Sequence, residues 1–390
     1  MNETIKSFDD IDAHARQDVG GKAWALAYLS RHGFYVPEGV CVTVGAYRRY
    51  MAFNGLEGRI AIELGRKDLA DMRWEEMWDT SLRIRNYIFR GKFPGHLYEE
   101  LLHVLKKLLD RDPVAVRSSA IAEDSKSASY AGIHESYVDV KSPIDAFDKI
   151  RLVWASLWSD AALLYKKEFG AGASAPGMAV IIQKFVKGEK SGVVFSENPV
   201  KPGQMVVEAV RGLNKNLVDG VTEPYRWILD KKSGRVISRA APGNRTLAAG
   251  VERRPLLTSA EVGKVIAAAK RAESLFRCPQ DVEWTFARGS LSILQSRPIT
   301  TGKPPALSKR SIFDLSLRRS FNDLQDLKNE IDHKLVPSMK YLIKRFESVR
   351  LSSLTDRTLA KEVCFRAGKA VFWRKTYRDR FIPYGHGMRL

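Results

Sequence analysis

The sequence has few cysteines and no long apolar run. Cys41, Cys278 and Cys364 are far apart and form no CxxC pair, which argues against a disulfide framework, a zinc site and a secreted protein. No window approaches the roughly 18 apolar residues of a membrane-spanning helix, and the N-terminus has no basic segment followed by an apolar core. We therefore predict a soluble protein of the reducing cytoplasm that does not bind membranes.

Internal repeats and low-complexity tracts are also absent. The 390 residues exceed the usual size of one domain, so two or three compact units are expected. Mixed helix and strand patterns predict an α+β fold. We predict a first part over residues 1–200, a second over 201–300, and a linker with a basic helical extension over 301–390, because a Pro/Gly/Ser/Lys-rich stretch begins at Thr301.

Positive charge is abundant and unevenly distributed. The net charge is +19, and residues 301–390 contribute +11 of it, from 20 Lys and Arg against 9 Asp and Glu. A basic surface can attract nucleic acid, membrane, a polyanionic substrate or an acidic protein. A solvated helix face is the plainer explanation. Among partners we rank an acidic protein above nucleic acid, because no nucleic-acid-binding module is recognisable.

Hydrophobic periodicity predicts the order of helices and strands. Helices are predicted at residues 22–32, 44–53, 68–88, 96–109, 143–169 and 259–276, and strands at 36–43, 114–118, 135–140, 178–185, 191–196, 205–209, 224–230, 236–239, 280–286 and 291–295. Strands 178–185 and 191–196 are predicted to pair. Strands 280–286 and 291–295 are predicted to form a hairpin that turns at Gly289. Residues 311–380 are almost wholly helical in pattern.

A lysine follows two glycines where the first helix begins. In Gly20-Gly21-Lys22 the ammonium group could reach a nucleotide phosphate, and the N–H groups of a helix start add positive potential. A glycine turn followed by a solvated lysine is commoner than a phosphate site. The motif alone is therefore weak support for nucleotide binding.

Residues 114–140 read VAVRSSAIAEDSKSASYAGIHESYVDV, a pattern suited to phosphate. Arg117 ends a short apolar strand, where its planar guanidinium can hold phosphate oxygens bidentately. Ser118 and Ser119 add short hydroxyl donors. The Ser-, Ala- and Gly-rich stretch 125–132 could close over phosphates as a lid, although it could also be a simple connection.

The hairpin QDVEWTF…LSILQSRP carries a second polar group. Period two places Asp281 and Glu283 on one face of their strand, and Gln295 and Arg297 on one face of the partner strand. A hairpin register could set Glu283 beside Gln295 as two oxygen ligands for Mg²⁺, a metal that needs only one or two protein oxygens. Arg297 could then neutralise phosphate charge. The plainer explanation is a surface hairpin with ordinary polar residues.

Together these motifs resemble the N-terminal ATP-grasp nucleotide-binding domain of the phosphoenolpyruvate synthase and pyruvate phosphate dikinase family. The resemblance covers about residues 20–300 and includes VPEGVCVTVGAYRRYM, AVIIQKFVKGEKSGVVFSENP and ILQSRP. It implies an ATP-grasp-type domain of two subdomains, with ATP and Mg²⁺ as cofactors. Site residues carried over by the resemblance are Lys22, Arg117 and Arg297 on phosphates, Gly132, Ser136 and Tyr137 on the lid side, Gln183 near the adenine, and Glu283 and Gln295 on Mg²⁺.

The resemblance also implies a reaction that this sequence does not complete. In the family the ATP β-phosphoryl group passes to a histidine of a swivelling domain, with release of AMP and phosphate. None of the seven histidines lies in the Gly/Thr-rich context of that histidine. The expectation is an ATP-binding subunit that needs a histidine-bearing partner subunit, as in split enzymes such as phenylphosphate synthase, with phenol or pyruvate as acceptor. The alternative is a non-catalytic nucleotide-binding module with a basic docking tail.

Overall fold

A computed structural model describes residues 4–121, 135–169, 177–213, 223–242, 256–299 and 327–381, together with the backbone of two short strands within 122–134. The chain divides into two compact units. The first comprises residues 1–214, 225–241 and 246–302, and the second comprises residues 215–224, 242–245 and 303–390. Helices and antiparallel sheets occur together in the first unit, so the α+β prediction is confirmed.

Thirteen strands are described. In chain order they are β1 (Ile5–Ser7), β2 (Gly39–Val42), β3 (Val114–Ala120), β4 (Asp124–Ser125), β5 (Ala128–Ser129), β6 (Ser136–Val140), β7 (Met178–Lys184), β8 (Lys190–Phe195), β9 (Gln204–Arg211), β10 (Tyr225–Asp230), β11 (Val236–Ala240), β12 (Gln280–Ala287) and β13 (Ser290–Pro298). They form a five-stranded sheet in the order β1-β2-β7-β3-β6, a six-stranded sheet in the order β11-β10-β9-β8-β12-β13, and the small hairpin β4-β5. Neighbouring strands are antiparallel throughout.

The described α-helices lie around these sheets and in the second unit. They are α1 (Arg16–Arg31), α2 (Val44–Phe53), α3 (Leu56–Gly65), α4 (Trp74–Phe89), α5 (Gly95–Leu108), α6 (Pro143–Ser156), α7 (Asp160–Phe169), α8 (Ser259–Phe276), α9 (Val336–Ser348) and α10 (Asp356–Thr376). Helix α8 begins with a capping box in which Thr258 accepts from the Glu261 N–H and Glu261 accepts from the Thr258 N–H. The predicted helices 44–53 and 259–276 are confirmed to the residue.

Some predictions about elements were wrong, and one helix was missed. The helix predicted over 143–169 is two helices separated at residues 157–159, and the helix predicted over 68–88 begins only at Trp74. Helix α3 was not predicted. Strands β7 and β8 do not pair, because β7 belongs to the five-stranded sheet and β8 to the six-stranded sheet.

The five-stranded sheet is covered on both faces. Val116, Val180 and Ile182 pack into the large core formed with helices α2 to α7. On the opposite face, Ala179 and Ile181 pack with the apolar side of α1. Because both faces of β7 are covered, its sequence MAVIIQK is almost continuously apolar and buried.

The six-stranded sheet packs one face against α8. Val282, Trp284 and Phe286 of β12 point into that core, together with alternate residues of β9 and with Ile293 of β13. Residues on the opposite face of β12 are polar, with Asp281 and Glu283 in the alternate positions. The hairpin between β12 and β13 turns at Arg288 and Gly289, both with positive φ, so the predicted hairpin is confirmed.

In the second unit the structure describes residues 327–381. Helices α9 and α10 bury no residue. The rings of Phe346 and Phe365 meet edge to face, and Glu362 accepts from Arg366. No described helix of the chain is both long and apolar enough to cross a bilayer.

A buried lysine in α7 makes a testable contribution to stability. Lys166 is 5% exposed and its Nζ has no hydrogen-bond partner among the described residues, while its ammonium group lies 4.1 Å from the centre of the Trp158 ring. Burial lowers the pKa of Lys166 to about 8. Between pH 8 and the usual lysine pKa the unfolded chain therefore holds more protons, and this group makes stability rise with pH.

Replacing Lys166 with methionine should therefore stabilise the protein. At pH 7 we expect the free energy of unfolding to rise by about 1–3 kcal/mol, since the methionine needs no desolvation of charge, and we expect the rise in stability between pH 8 and 10 to shrink. Urea unfolding at several pH values measures both effects. Lys106→Met, at an exposed position of α5, should change neither. A less stable Lys166→Met variant at pH 7 would show that the contact with Trp158 outweighs the burial cost.

Candidate functional site

Gly20 of the Gly20-Gly21-Lys22 motif packs closely against β3. Gly20 has φ of +75°, and a Cβ at this position would overlap the Ser119 carbonyl oxygen. The Ser119 hydroxyl donates to the Val19 carbonyl at 2.6 Å and accepts from the Ala23 N–H at 3.1 Å. Only glycine combines this φ with this close approach. Helix α1 begins at Arg16 and not at Lys22 as predicted, and its backbone kinks at Gly20.

This packing brings Lys22 to Ser118, within β3. Its Nζ donates to the Ser118 hydroxyl at 3.4 Å. Strand β3 continues to Ala120, so Arg117 lies within the strand and not at its end, where the sequence pattern predicted it. Ser118 follows Arg117 directly, so both predicted cations lie along the same strand. Lys22 and Arg117 are 95 residues apart in sequence, and the Gly20–Ser119 contact packs the start of α1 against the strand that carries Arg117.

Arg117 joins the two sheets. Its Nη1 donates to the Leu294 carbonyl oxygen at 2.5 Å, and its Nη2 donates to Gln295 Oε1 at 2.9 Å and to Glu283 Oε2 at 3.2 Å. The side chains of Arg117 and Glu283 are only 14% and 18% exposed. Three of the residues predicted for ATP and Mg²⁺ therefore meet at one point, the junction of β3 with the β12–β13 hairpin.

A β-bulge orients this part of the hairpin. Trp284 pairs with Ile293, but Glu283 pairs with Gln295, so Leu294 is an extra residue in β13. In a regular strand with no bulge, Gln295 would lie two residues from Ile293 and point to the same side as it, into the core around α8. The bulge turns Gln295 to the face of Glu283 and leaves the Leu294 carbonyl oxygen available to Arg117. The predicted register of Glu283 beside Gln295 is confirmed.

Arg297 is paired with a buried carboxylate. Asp281 stands opposite Arg297 in the hairpin, and its Oδ2 accepts from Arg297 Nε at 2.7 Å. Asp281 Oδ1 has no hydrogen-bond partner among the described residues. Burial raises the pKa of Asp281, and Arg297 opposes that rise. Arg297 thus lies on the same face as Glu283 and Gln295, where the sequence pattern predicts it.

The lid-side residues are divided between two faces of β6. Ser136 pairs with Arg117 across the strands and shares its face, whereas Tyr137 pairs with Val116, which belongs to the core on the other side. The Tyr137 hydroxyl donates to Glu135, and the Lys149 ammonium lies 4.9 Å from the Tyr137 ring. Tyr137 is therefore turned towards the helical layer. Gly132 lies outside the described residues.

Gln183 lies at the end of β7 and is 2% exposed. Its Nε2 donates to the Pro37 carbonyl oxygen at 2.8 Å, which fixes the chain entering β2. Gln183 pairs with Ala115 of β3, two residues from Arg117. It shares the sheet face of Arg117 and leads into the connection towards β8.

Glu208 belongs to the same surface but was not singled out from the sequence. It pairs with Val193, which in turn pairs with Glu283, so the two glutamates lie on one row of the six-stranded sheet. Glu208 accepts from Arg226 at 2.7 Å. The sequence did contain a signal for it. Glu208 is a charged residue within the apolar strand QMVVEAVR, and the strand period of two places it on the face opposite the core.

The oxygens at this junction suit a small hard cation. Glu283 supplies a carboxylate and Gln295 an amide oxygen, and both converge on the same Arg117 nitrogen. Magnesium takes one or two protein oxygens and completes its shell with water and phosphate. The residues present therefore fit Mg²⁺ bound together with a nucleotide. No cluster of three or more His, Cys, Asp or Glu side chains able to hold a metal occurs in the part of the chain that the structure describes.

A separate open cavity of about 340 Å³ lies at helices α3 and α4. Its lining includes Arg59, Arg83 and Tyr87, and contains none of the residues predicted for ATP. The junction at Arg117 is distinguished instead by its charged and amide side chains.

Comparison with known families shows where the chain belongs. The model of the family described as "Pyruvate phosphate dikinase, AMP/ATP-binding domain" matches residues 16–312. The chain belongs to this family. Lys22, Arg117, Glu283, Gln295 and Arg297 all lie within the matched region.

Individual relatives agree with the family match. The chain is 32% identical over 314 residues to rifampicin phosphotransferase from a Streptomyces species, covering 76% of this chain and 36% of the relative. It is 29% identical to phosphoenolpyruvate synthase from Pyrococcus furiosus, covering 79% and 45%. The chain thus spans less than half the length of each of these two relatives.

A solved structure also overlaps with this fold. D-alanine–D-alanine ligase from Bacillus anthracis aligns over 73% of this chain and 57% of its own, with 10% identity and a TM-score of 0.30. The overlap is partial, and the assignment depends on the family match.

Proposed function

We propose that this chain is the ATP-binding part of a dikinase-type phosphotransferase. It binds Mg²⁺–ATP at the junction of β3 with the β12–β13 hairpin and presents the β-phosphoryl group to a histidine outside residues 1–390, with release of AMP and phosphate. The observation that carries the proposal is the convergence of Arg117, Glu283 and Gln295, which come from two sheets, on one point.

The roles follow from chemistry and position. Phosphoryl transfer requires positioning and charge neutralisation more than covalent work by the protein. Lys22, Arg117 and Arg297 neutralise phosphate charge, Glu283 and Gln295 hold Mg²⁺, and Ser136 lies beside Arg117 on the neighbouring strand. Gly132 and Tyr137 are assigned to the lid side and Gln183 to the adenine side on the family resemblance.

The acceptor histidine is proposed to lie on a partner subunit. The seven histidines of the sequence lack the Gly/Thr-rich context expected for a phosphocarrier. A small acceptor, either phenol or pyruvate, would then take the phosphoryl group from the partner. In this arrangement the chain alone binds ATP but does not turn it over.

Product analysis tests the reaction type. With Mg²⁺–ATP and a histidine-bearing partner protein, we expect AMP and phosphate to appear in equal amounts, and labelled AMP or phosphate to exchange into ATP. Without the partner, calorimetry should detect ATP binding and no product should form. ADP as the sole product would contradict the dikinase reaction. Salt-sensitive retention on nucleic acid without ATP consumption would favour a non-catalytic docking module.

A further inference from the structure

In the described structure, Arg117 is placed where the metal of the proposed function would compete with it. One nitrogen of its guanidinium group lies 2.9 Å from Gln295 Oε1 and 3.2 Å from Glu283 Oε2. These are the two oxygens assigned to Mg²⁺. The second nitrogen is held 2.5 Å from the Leu294 carbonyl oxygen, so the bulge keeps the guanidinium group at this position.

Every acidic side chain that we have placed on this face has an arginine beside it. Glu283 is paired with Arg117, Asp281 with Arg297, and Glu208 with Arg226. In each of the last two pairs, the acid and the arginine lie directly opposite each other on neighbouring strands of the six-stranded sheet. The Glu283 pair alone depends on a cation from the other sheet, so it is the pair that a ligand entering between the sheets can separate.

A free divalent cation therefore meets a carboxylate that is already neutralised. Occupying Glu283 and Gln295 would bring the metal close to the guanidinium charge, and both charges are positive. A metal that arrives with ATP brings several phosphate oxygens, which are strong bidentate acceptors for arginine. The guanidinium group can then leave the two oxygens for phosphate, and the metal can take its place.

We propose that Arg117 is a placeholder cation that makes the Glu283–Gln295 pair selective for metal–nucleotide over free metal. This inference rests on the proposed function and adds a specificity role to Arg117. Metal and nucleotide then each raise the affinity for the other. The nucleotide draws Arg117 away from the two oxygens, and the metal replaces the positive charge of Arg117 there.

The experiment is a titration of the protein with Mn²⁺ in the absence of nucleotide. Electron paramagnetic resonance measures the concentration of free Mn²⁺ at each step. Mn²⁺ is used as a paramagnetic substitute for Mg²⁺. We expect weak binding to the unmodified protein and binding that is at least about fivefold tighter in Arg117→Ala, the lower end of typical coupling between two sites. Adding Glu283→Gln to Arg117→Ala should abolish the gain, which locates it at this pair.

Controls separate this result from a change in fold. Arg117→Met keeps most of the side-chain volume and should show the same gain, so a poorly folded alanine variant does not decide the outcome. Arg83→Ala removes an arginine of the helical layer that also makes three side-chain contacts, and should not tighten Mn²⁺ binding. Circular dichroism checks that each variant is folded.

The inference is overturned if both Arg117 variants bind Mn²⁺ no more tightly than the unmodified protein, or if the gain survives Glu283→Gln. The proposed function fails separately, if the unmodified protein does not bind ATP in the presence of Mg²⁺. Tight ATP binding with unchanged Mn²⁺ affinity in the variants would reject the placeholder and leave the ATP site in place.

Discussion

Arg117→Ala is expected to weaken binding of Mg²⁺–ATP by about 10- to 100-fold, the loss that accompanies removal of a charge-assisted hydrogen-bonding group worth about 1.5–3 kcal/mol. Turnover with the histidine-bearing partner should fall further, because charge on the transferring phosphoryl group is no longer neutralised. Calorimetry with ATP measures the first effect, and AMP release measures the second.

The control for this prediction is Arg83→Ala, which removes an equally well-bonded arginine from the helical layer. It should leave ATP affinity unchanged. If Arg117→Ala keeps full affinity while its fold is intact, then the ATP site does not include Arg117 and the central assignment is wrong. A loss of affinity in both variants would instead indicate a general loss of structure.

Gly20→Ala is expected to abolish ATP binding and to destabilise the first unit. An alanine at φ of +75° costs about 1–3 kcal/mol in backbone strain, and its Cβ would overlap the backbone of Ser119. Relief of that overlap requires α1 to move away from β3. Lys22 would then lose its hydrogen bond to Ser118 of β3.

Gly234→Ala separates strain from overlap. Gly234 also has a positive φ, +71°, but a Cβ there would meet no atom within 4 Å. We expect only a small loss of stability, about 1 kcal/mol, and unchanged ATP affinity. Thermal unfolding and calorimetry compare the two variants. Equal effects of the two substitutions would mean that contact with Ser119 does not matter.

Local patterns predicted much of this protein correctly. Helices α2 and α8 and the β12–β13 hairpin depend on residues close in sequence, so periodicity and turn residues were sufficient. The breaks at residues 157–159 and 68–73 were missed, because the apolar pattern continues through them while the chain turns.

Sheet membership was harder to predict than strand position. Strands β7 and β8 follow each other closely and look like a hairpin, yet they belong to different sheets. Which strands pair depends on which apolar faces can be buried together, and each of the two sheets buries its apolar face in a separate core. The face of Tyr137 was decided in the same way, since the core around Val116 takes that side of β6.

Residue types, spacing and family motifs were enough to identify a nucleotide-binding chain and its candidate residues, since a Gly-Gly-Lys start, an arginine at a strand end and a Glu/Gln hairpin are local patterns. The convergence of those residues was decided by tertiary structure. Arg117 meets Glu283 across 166 positions of sequence, and Gln295 faces it only because Leu294 forms a bulge. Strand alternation alone would have turned Gln295 into the α8 core, so the site depends on how two separate sheets and one extra residue fit together.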